Sequence, residues 1–302
     1  MTITTSETTS EVIPESLQFD TLAMTGMLAE AMAIKKSAHR RHMLIVNLFR
    51  VLVVVVILGG WELLVRLNVI DSFFWGQPTG VVAQLWTWIR EGTAQGPLLQ
   101  QIGVTLEEAM LGFLVGSIFG VLIGISLARI AVLAEVFGPF INIANSIPRV
   151  VLGPLFIVSM GLGLQSKVAL ALVMVFFAVF YNVFQGVREV DRNILANARI
   201  LGASPWQISR HVILPSAVTW IIASLHISFG LALVGAVVSE FLGAIKGIGL
   251  MIATAMGTFN PNGLFASILI LAVVTLVVEG LVTKLEGLLL KWRPFPISDI
   301  SI

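Results

Sequence analysis

The sequence predicts an all-α membrane protein of six transmembrane helices, and three observations carry that prediction. Of its 302 residues, 57% are hydrophobic and only 12% charged, too apolar for an ordinary soluble domain. Six stretches meet the length needed to cross a hydrocarbon core, roughly 20 apolar residues for a helix. The basic residues are spread unevenly over the segments that join those stretches. A transmembrane barrel is excluded, because its strands alternate over about ten residues and these runs are apolar on every face.

Residues 1–42 read as a cytoplasmic N-terminal extension, 43–292 as the six-span domain and 293–302 as a cytoplasmic tail. Residues 1–20 are rich in Ser, Thr and Glu, the composition of a chain without a packed core. Residues 21–34 could form a short amphipathic helix on the inner membrane surface or against a cytoplasmic partner, or else continue a mobile tail. The first span, Leu44–Val65, carries Arg50 and Glu62. It follows a long polar segment, which is not the layout of a cleavable signal peptide. Asp71–Glu91 then holds Pro78, Thr79, Trp86 and Trp88 and reads as a helix along the outer surface, its tryptophans at headgroup level.

The second span, Ala109–Ala128, has no charge and carries Gly112, Gly116, Gly120 and Gly124. Glycine at every fourth position makes a stripe against which another backbone can pack closely. The third span, Val132–Met160, contains Pro139, Pro148 and Pro154, each expected to break the helical ladder. Asn142, Asn145, Ser146 and Arg149 cluster around these breaks. Irregular backbone at membrane depth belongs in protein or beside a watery cavity, so this cluster is the candidate translocation path. Arg149 could attract an anion there, or pair with helix carbonyls or a carboxylate such as Glu240.

The fourth span, Val168–Val187, ends on Tyr181, Asn182 and Gln185, residues suited to a polar inner vestibule or to packing. The fifth, Val212–Ser239, has His226 at mid-span and is followed by Glu240. His226 reads as a packing or a ligand residue, and Glu240 as an outer gate or the aqueous end of its helix. Gly263–Val282 is the sixth span, with Glu279.

With the amino terminus in the cytoplasm, eleven basic residues fall inside: Lys35, Lys36, Arg40, Arg41, Arg129, Arg188, Arg192, Arg199, Arg210, Lys291 and Arg293. Only four fall outside, namely Arg66, Arg90, Lys167 and Lys246. The positive-inside rule then places both termini in the cytoplasm.

The densest basic loop, Arg188–Pro215, has a helical logic of its own. Asp191 can cap a helix running to Leu201, and Gly202 can end it in a left-handed turn. Ser204 can cap a second short helix with Pro205 at its first position. That helix would present Trp206, Ile208 and Ile213 with Gln207, Arg210 and His211. Two short helices joined through Gly202 and Ala203 form a knob able to fit a groove in another protein.

This loop resembles the signature of inner-membrane permeases of binding-protein-dependent ABC importers. Their pattern is Glu-Ala-Ala, three residues, Gly, nine residues, then Ile-x-Leu-Pro. Here Gly202 is followed by Val212, Leu214 and Pro215 at the expected offsets, while the triplet reads Ala196-Asn197-Ala198. The family's acidic residue is therefore missing, which bears on the salt bridge it offers the ATPase but not on the docking of the loop. The resemblance runs over Val51–Trp292, takes in Val238-Ser239-Glu240 before Gly247-Ile248-Gly249, and is most similar to the branch importing sulfonates, taurine, nitrate, bicarbonate and some pyrimidine-like compounds.

The resemblance implies the type I importer permease fold, with an outer interfacial helix and a cytoplasmic coupling helix. It also implies a bacterial inner-membrane location and a homodimer with one pathway at its two-fold interface. Two cytoplasmic ATP-binding subunits, which hold ATP and Mg, and an external solute-binding protein would complete the complex.

Other chemistry is missing from the sequence. No Gly-Lys pair exists from which to build a phosphate-cradling loop. His39, His42, His211 and His226 show no metal-ligand spacing, and cysteine is absent. The net charge of +1 gives no reason to expect nucleic acid. The alternative class is a transporter driven by an ion gradient, which would show paired intramembrane carboxylates or broken helices in both halves.

Overall fold

A computed structural model describes residues 42–188 and 192–289. Among these the chain is helical, with a single isolated bridge, Thr93 to Gly96, in place of any strand. Five helices are long and apolar enough to cross a membrane, or six when one bent pair counts as a span, as predicted. The 21–34 segment, Asp191 and the 293–302 tail lie outside the described residues.

The chain divides at Arg66 into two units. The first holds α1 (His42–Arg66), whose charged groups are satisfied within the helix. Arg50 donates to Asn47 at 3.1 Å, and Arg66 pairs with Glu62 at 2.8 Å.

The second unit opens with α2 (Ser72–Trp75), capped by Asp71 Oδ1, and α3 (Pro78–Arg90), with Pro78 at its start. The α3 helix is the one expected at the surface. Trp86 is exposed, with the Arg90 guanidinium 4.2 Å from its ring. Trp88 instead packs on the buried Ile248, Met251, Ile270 and Val274, so only one of the two tryptophans is free to face headgroups.

Next come α4 (Leu98–Arg129), α5 (Ala131–Ser146), a 3-10 turn (Arg149–Leu152), α6 (Gly153–Met160) and α7 (Leu164–Arg188). The bend between α5 and the segment starting at Arg149 is 83°. Three breaks were expected and one exists, at Pro148. It forces Ile147 into extended backbone (ψ 126°), which stops α5. Pro139 sits inside α5 without ending it, and Pro154 is in the first turn of α6, where a missing N–H costs nothing.

After the unassigned 189–191, α8 (Arg192–Ile200), α9 (Pro205–Ile208) and a π turn (Ser209–Ile213) lead directly into α10 (Leu214–Leu242). Helices α11 (Ile248–Gly257) and α12 (Pro261–Leu289) complete the chain. The second knob helix starts at Pro205, as expected, and runs on without a break. It is the first turn of a rod that becomes the fifth span, because Pro215 falls inside that rod without ending it.

At the centre, α7 lies between α4 and α10, with Ala109, Val175, Val179, Val183, Phe229, Leu233 and Ala236 forming one buried cluster. Gly112 meets Ala171, Gly116 meets Val175, Gly120 meets Val179 and Gly124 meets Val183. Partner numbers rise together, so α4 and α7 run parallel. Gly235 meets Ala171 and Gly186 meets Trp220, so α10 runs antiparallel to both. The knob therefore lies at one end of this three-helix core. The starts of α4 and α7, and the end of α10, lie at the other.

Candidate functional site

The knob is built from local sequence. Gly202 has φ of 77°, a conformation that favours glycine. The Gly202 N–H donates to Arg199 O and the Ala203 N–H to Ala198 O, both at 3.0 Å, the paired bonds of a glycine-terminated helix. Ser204 then opens the next turn with a reciprocal cap. Its N–H donates to Gln207 Oε1 at 2.8 Å, and Gln207 N–H donates to Ser204 Oγ at 3.3 Å. The His211 ring lies 3.1 Å from Gln207 O.

Between the two helices is a cleft of about 410 Å³ lined by Ala198, Gly202, Ala203, Gln207, Ile208 and His211. Its rim is apolar and in the open, with Ile200 82%, Leu201 85% and Trp206 67% exposed. Sequence reasoning singled out Trp206 but missed Ile200 and Leu201, which the helix end turns outward. Ala196, Asn197 and Arg210 are exposed around them, and Pro205, Leu214 and Pro215 belong to the rod.

The seven pathway candidates do not form one site; they fall in three places. Asn142, Asn145, Ser146 and Arg149 stay together at the bend. There Arg149 donates to Asn145 Oδ1 and Ser146 Oγ donates to Asn142 O. The guanidinium lies 5.3 Å from the Phe177 ring, one turn before Tyr181 on α7. Tyr181 is partly exposed and accepts from Gln185 Nε2 at 3.2 Å. Arg149 Nε is buried without a hydrogen-bond partner.

His226 lies elsewhere, in a cavity of about 250 Å³ between α10 and α12 shared with Gly230, Thr275 and Glu279. Glu240 is not at an aqueous helix end. It is 0% exposed, at the knob-distal end of the core.

Glu240 belongs to a polar cluster whose other members sequence reasoning missed. Its carboxylate accepts from Thr105 Oγ1 at 2.7 Å and from the Gly249 N–H at 2.6 Å. Gly247 N–H donates to Gln101 Oε1 and Ile248 N–H to Thr105 Oγ1. Three successive backbone N–H groups at the start of α11 are thus held by side chains of α4 and α10. Gly247 has φ of 115°, and a Cβ on it would lie 2.0 Å from Glu240 Oε1.

Glu108 and Lys167 complete the cluster at 3% and 1% exposure. Each stands four residues before a contact pair of the α4–α7 seam, Gly112 and Ala171. The seam therefore continues, one step on, as a carboxyl facing an ammonium. Lys167 was expected in an outer loop, but α7 starts earlier than its apolar run, and its Nζ donates to Leu162 O at 2.9 Å and Ser166 Oγ at 3.1 Å.

Residues 109–290 match the family described as "Binding-protein-dependent transport system inner membrane component". Over 239 residues the chain is 34% identical to a Bacillus subtilis permease protein named for aliphatic sulfonates transport, covering 79% of this chain and 85% of that one. It is 31% identical to the riboflavin transport system permease protein of Chloroflexus aurantiacus, over 77% of this chain and 85% of the relative. It is 27% identical to the taurine transport system permease protein of Escherichia coli, over 79% and 87%. In fold it is similar to a chain of an amino acid ABC transporter structure. The TM-score is 0.53 at 20% identity, covering 65% of this chain and 93% of that one.

Proposed function

Because this chain belongs to the family of binding-protein-dependent inner membrane transport components, we propose that it is the permease of an ATP-driven importer of a small anionic solute of the sulfonate class. The observation that carries this reading is the knob. Ile200, Leu201 and Trp206 stand exposed at the end of the helical core, and no phosphate-cradling loop exists anywhere in the sequence. Energy therefore enters through contact with a separate ATP- and Mg-binding subunit seated on the knob. That contact is apolar at its centre, as befits an interface anchored by a large aromatic side chain.

The rod from Pro205 to Leu242 joins the knob to the membrane-spanning core without an intervening loop. Movement of the ATPase tilts the rod, and the two ends of the core open in turn. The solute gains passage because the partners bind the two states unequally.

Anion preference rests on Arg149 at the bend, with Asn145 and the Phe177 ring orienting its guanidinium. Relatives named for aliphatic sulfonates and taurine transport support the same class. On the bent span Phe140, Ile143, Val151, Leu155 and Val158 are exposed. A second copy of the chain covers them, forming a homodimer with the pathway at its two-fold axis. Both termini face the cytoplasm of a bacterium, and an external solute-binding protein delivers cargo at the knob-distal end.

One observation favours the ion-driven alternative, since Glu108 and Glu240 are a buried intramembrane carboxyl pair. Both are at most 3% exposed and Glu240 is pinned by two hydrogen bonds, an arrangement unsuited to loading and releasing ions. Taurine uptake into vesicles carrying the chain, its ATPase and its binding protein separates the two. Uptake should require internal ATP and survive collapse of ion gradients. Uptake without ATP that an ionophore abolishes would overturn the importer reading.

A further inference from the structure

The carboxyl cluster at the knob-distal end is not used by the transport reading, and its chemistry does not depend on what the chain carries. Three elements bring charge to one buried point: Glu108 from α4, Lys167 from α7 and Glu240 from α10, all 3% exposed or less. Around them, Glu107 on α4 is exposed and Lys246 is half-buried in the loop before α11. Helix α11 itself, IGLMIATAMG, brings no titratable side chain.

Glu240 already accepts from Thr105 and Gly249. The Glu108 carboxyl and the Lys167 ammonium are its charged neighbours. Glu108 Oε2 is buried and has no hydrogen-bond partner. Lys167 is held by Leu162 O and Ser166 Oγ, near both carboxyls. Two carboxyl groups can make a hydrogen bond to each other only when one carries a proton. Out of water, two carboxylates against one ammonium would also leave an uncompensated charge, at a cost of several kcal/mol.

We propose that Glu108 and Glu240 hold one proton between them, a sealed proton-binding site that Lys167 brings to zero net charge and that locks α4, α7, α10 and the start of α11 together. Glu108 is the donor, since Glu240 is already committed to accepting from Thr105 and the Gly249 N–H. The proton stays in place; it is a fixed part of the fold and not a coupling ion. Two-carboxyl sites elsewhere share a proton for the same electrostatic reason.

Infrared spectroscopy of the full chain in lipid, with carbonyl-labelled glutamate, tests this directly. At neutral pH the wild-type protein should show a protonated-carboxyl stretch that Glu108→Gln removes. The Gln side chain can still donate to Glu240 without charge. Its half-life at elevated temperature should therefore stay within about twofold of wild type, while that of Glu108→Ala falls tenfold or more. Absence of the band in the wild-type protein would overturn the proposal, whether or not the variants fold. So would a Gln variant as short-lived as the Ala variant, because the donated hydrogen bond would then contribute nothing.

Discussion

Replacing Gly112 by Ala adds one methyl group at the tightest point of the α4–α7 seam. The new Cβ would lie 2.4 Å from Ala171 Cβ and 3.0 Å from Leu172 N. Carbon atoms attract best at about 3.5–4.0 Å, so the two backbones must part by roughly 1 Å. The seam runs in step through Gly116, Gly120 and Gly124, and its contacts loosen together. Overpacking of this kind costs about 1–3 kcal/mol. Gly103→Ala, in the same helix, is the matched control. Its Cβ has nothing within 4 Å, and Ala is favoured over Gly in a helix interior by up to about 1 kcal/mol. The same substitution should thus act with opposite sign at two places on α4, a spread of about 2–4 kcal/mol. Titration with denaturing detergent in mixed micelles, followed by tryptophan fluorescence, reads it as a difference of about thirtyfold or more in the unfolding constant. If the two variants unfold alike, or Gly112→Ala matches the wild type, close backbone contact is not what holds these helices.

Gly202→Val must adopt a φ near the observed 77°, so it should distort the knob and reduce co-purification of the ATPase, while Trp206→Ala should weaken association about tenfold without changing membrane insertion. Wild-type association and uptake in both would remove the knob from the coupling scheme. Arg149→Ala should lower uptake of an anionic solute in an assembled complex, and Arg149→Lys should restore part of it, because the charge returns without the planar fork; undiminished uptake by the Ala variant would make the guanidinium structural. In this cysteine-free chain, a cysteine at Ala94 should react with an impermeant thiol reagent in intact cells and one at Ile200 should not, and the reverse pattern would invert the threading.

Features that were legible in the sequence depend on neighbours a few residues apart. Each step of the glycine series, the left-handed Gly202 and the Ser204 cap with Gln207 are written within about one helical turn. The polar cluster was not legible, because its members are brought together from far apart in the chain. Thr105 meets Glu240 across 135 positions and Gln101 meets Gly247 across 146. Hydropathy also misdirects here. Glu107 and Glu108 appear to close the second span at Ala109, yet α4 begins at Leu98. A titratable side chain buried among helices looks, in one dimension, like the edge of the membrane. Lys167 was displaced into a loop for the same reason. The prolines failed differently, since their effect depends on the turn of helix in which they fall.

A contact line that repeats every four residues has a period longer than the 3.6 residues of an α-helix turn. Each step therefore advances about 40° around α4, so from Gly112 to Gly124 the line winds by roughly 120°. Two straight rods cannot follow such a line. Helices that keep it must wrap around each other in the right-handed sense, as other repeats longer than 3.6 residues require. One step before the stripe, at the knob-distal end, Glu108 takes the place of glycine. Glu108 and Lys167 stand there buried, one on each helix, and Glu240 is buried with them from the third helix. The four-residue step that winds the glycines thus leads, at its next position, straight to the buried charges.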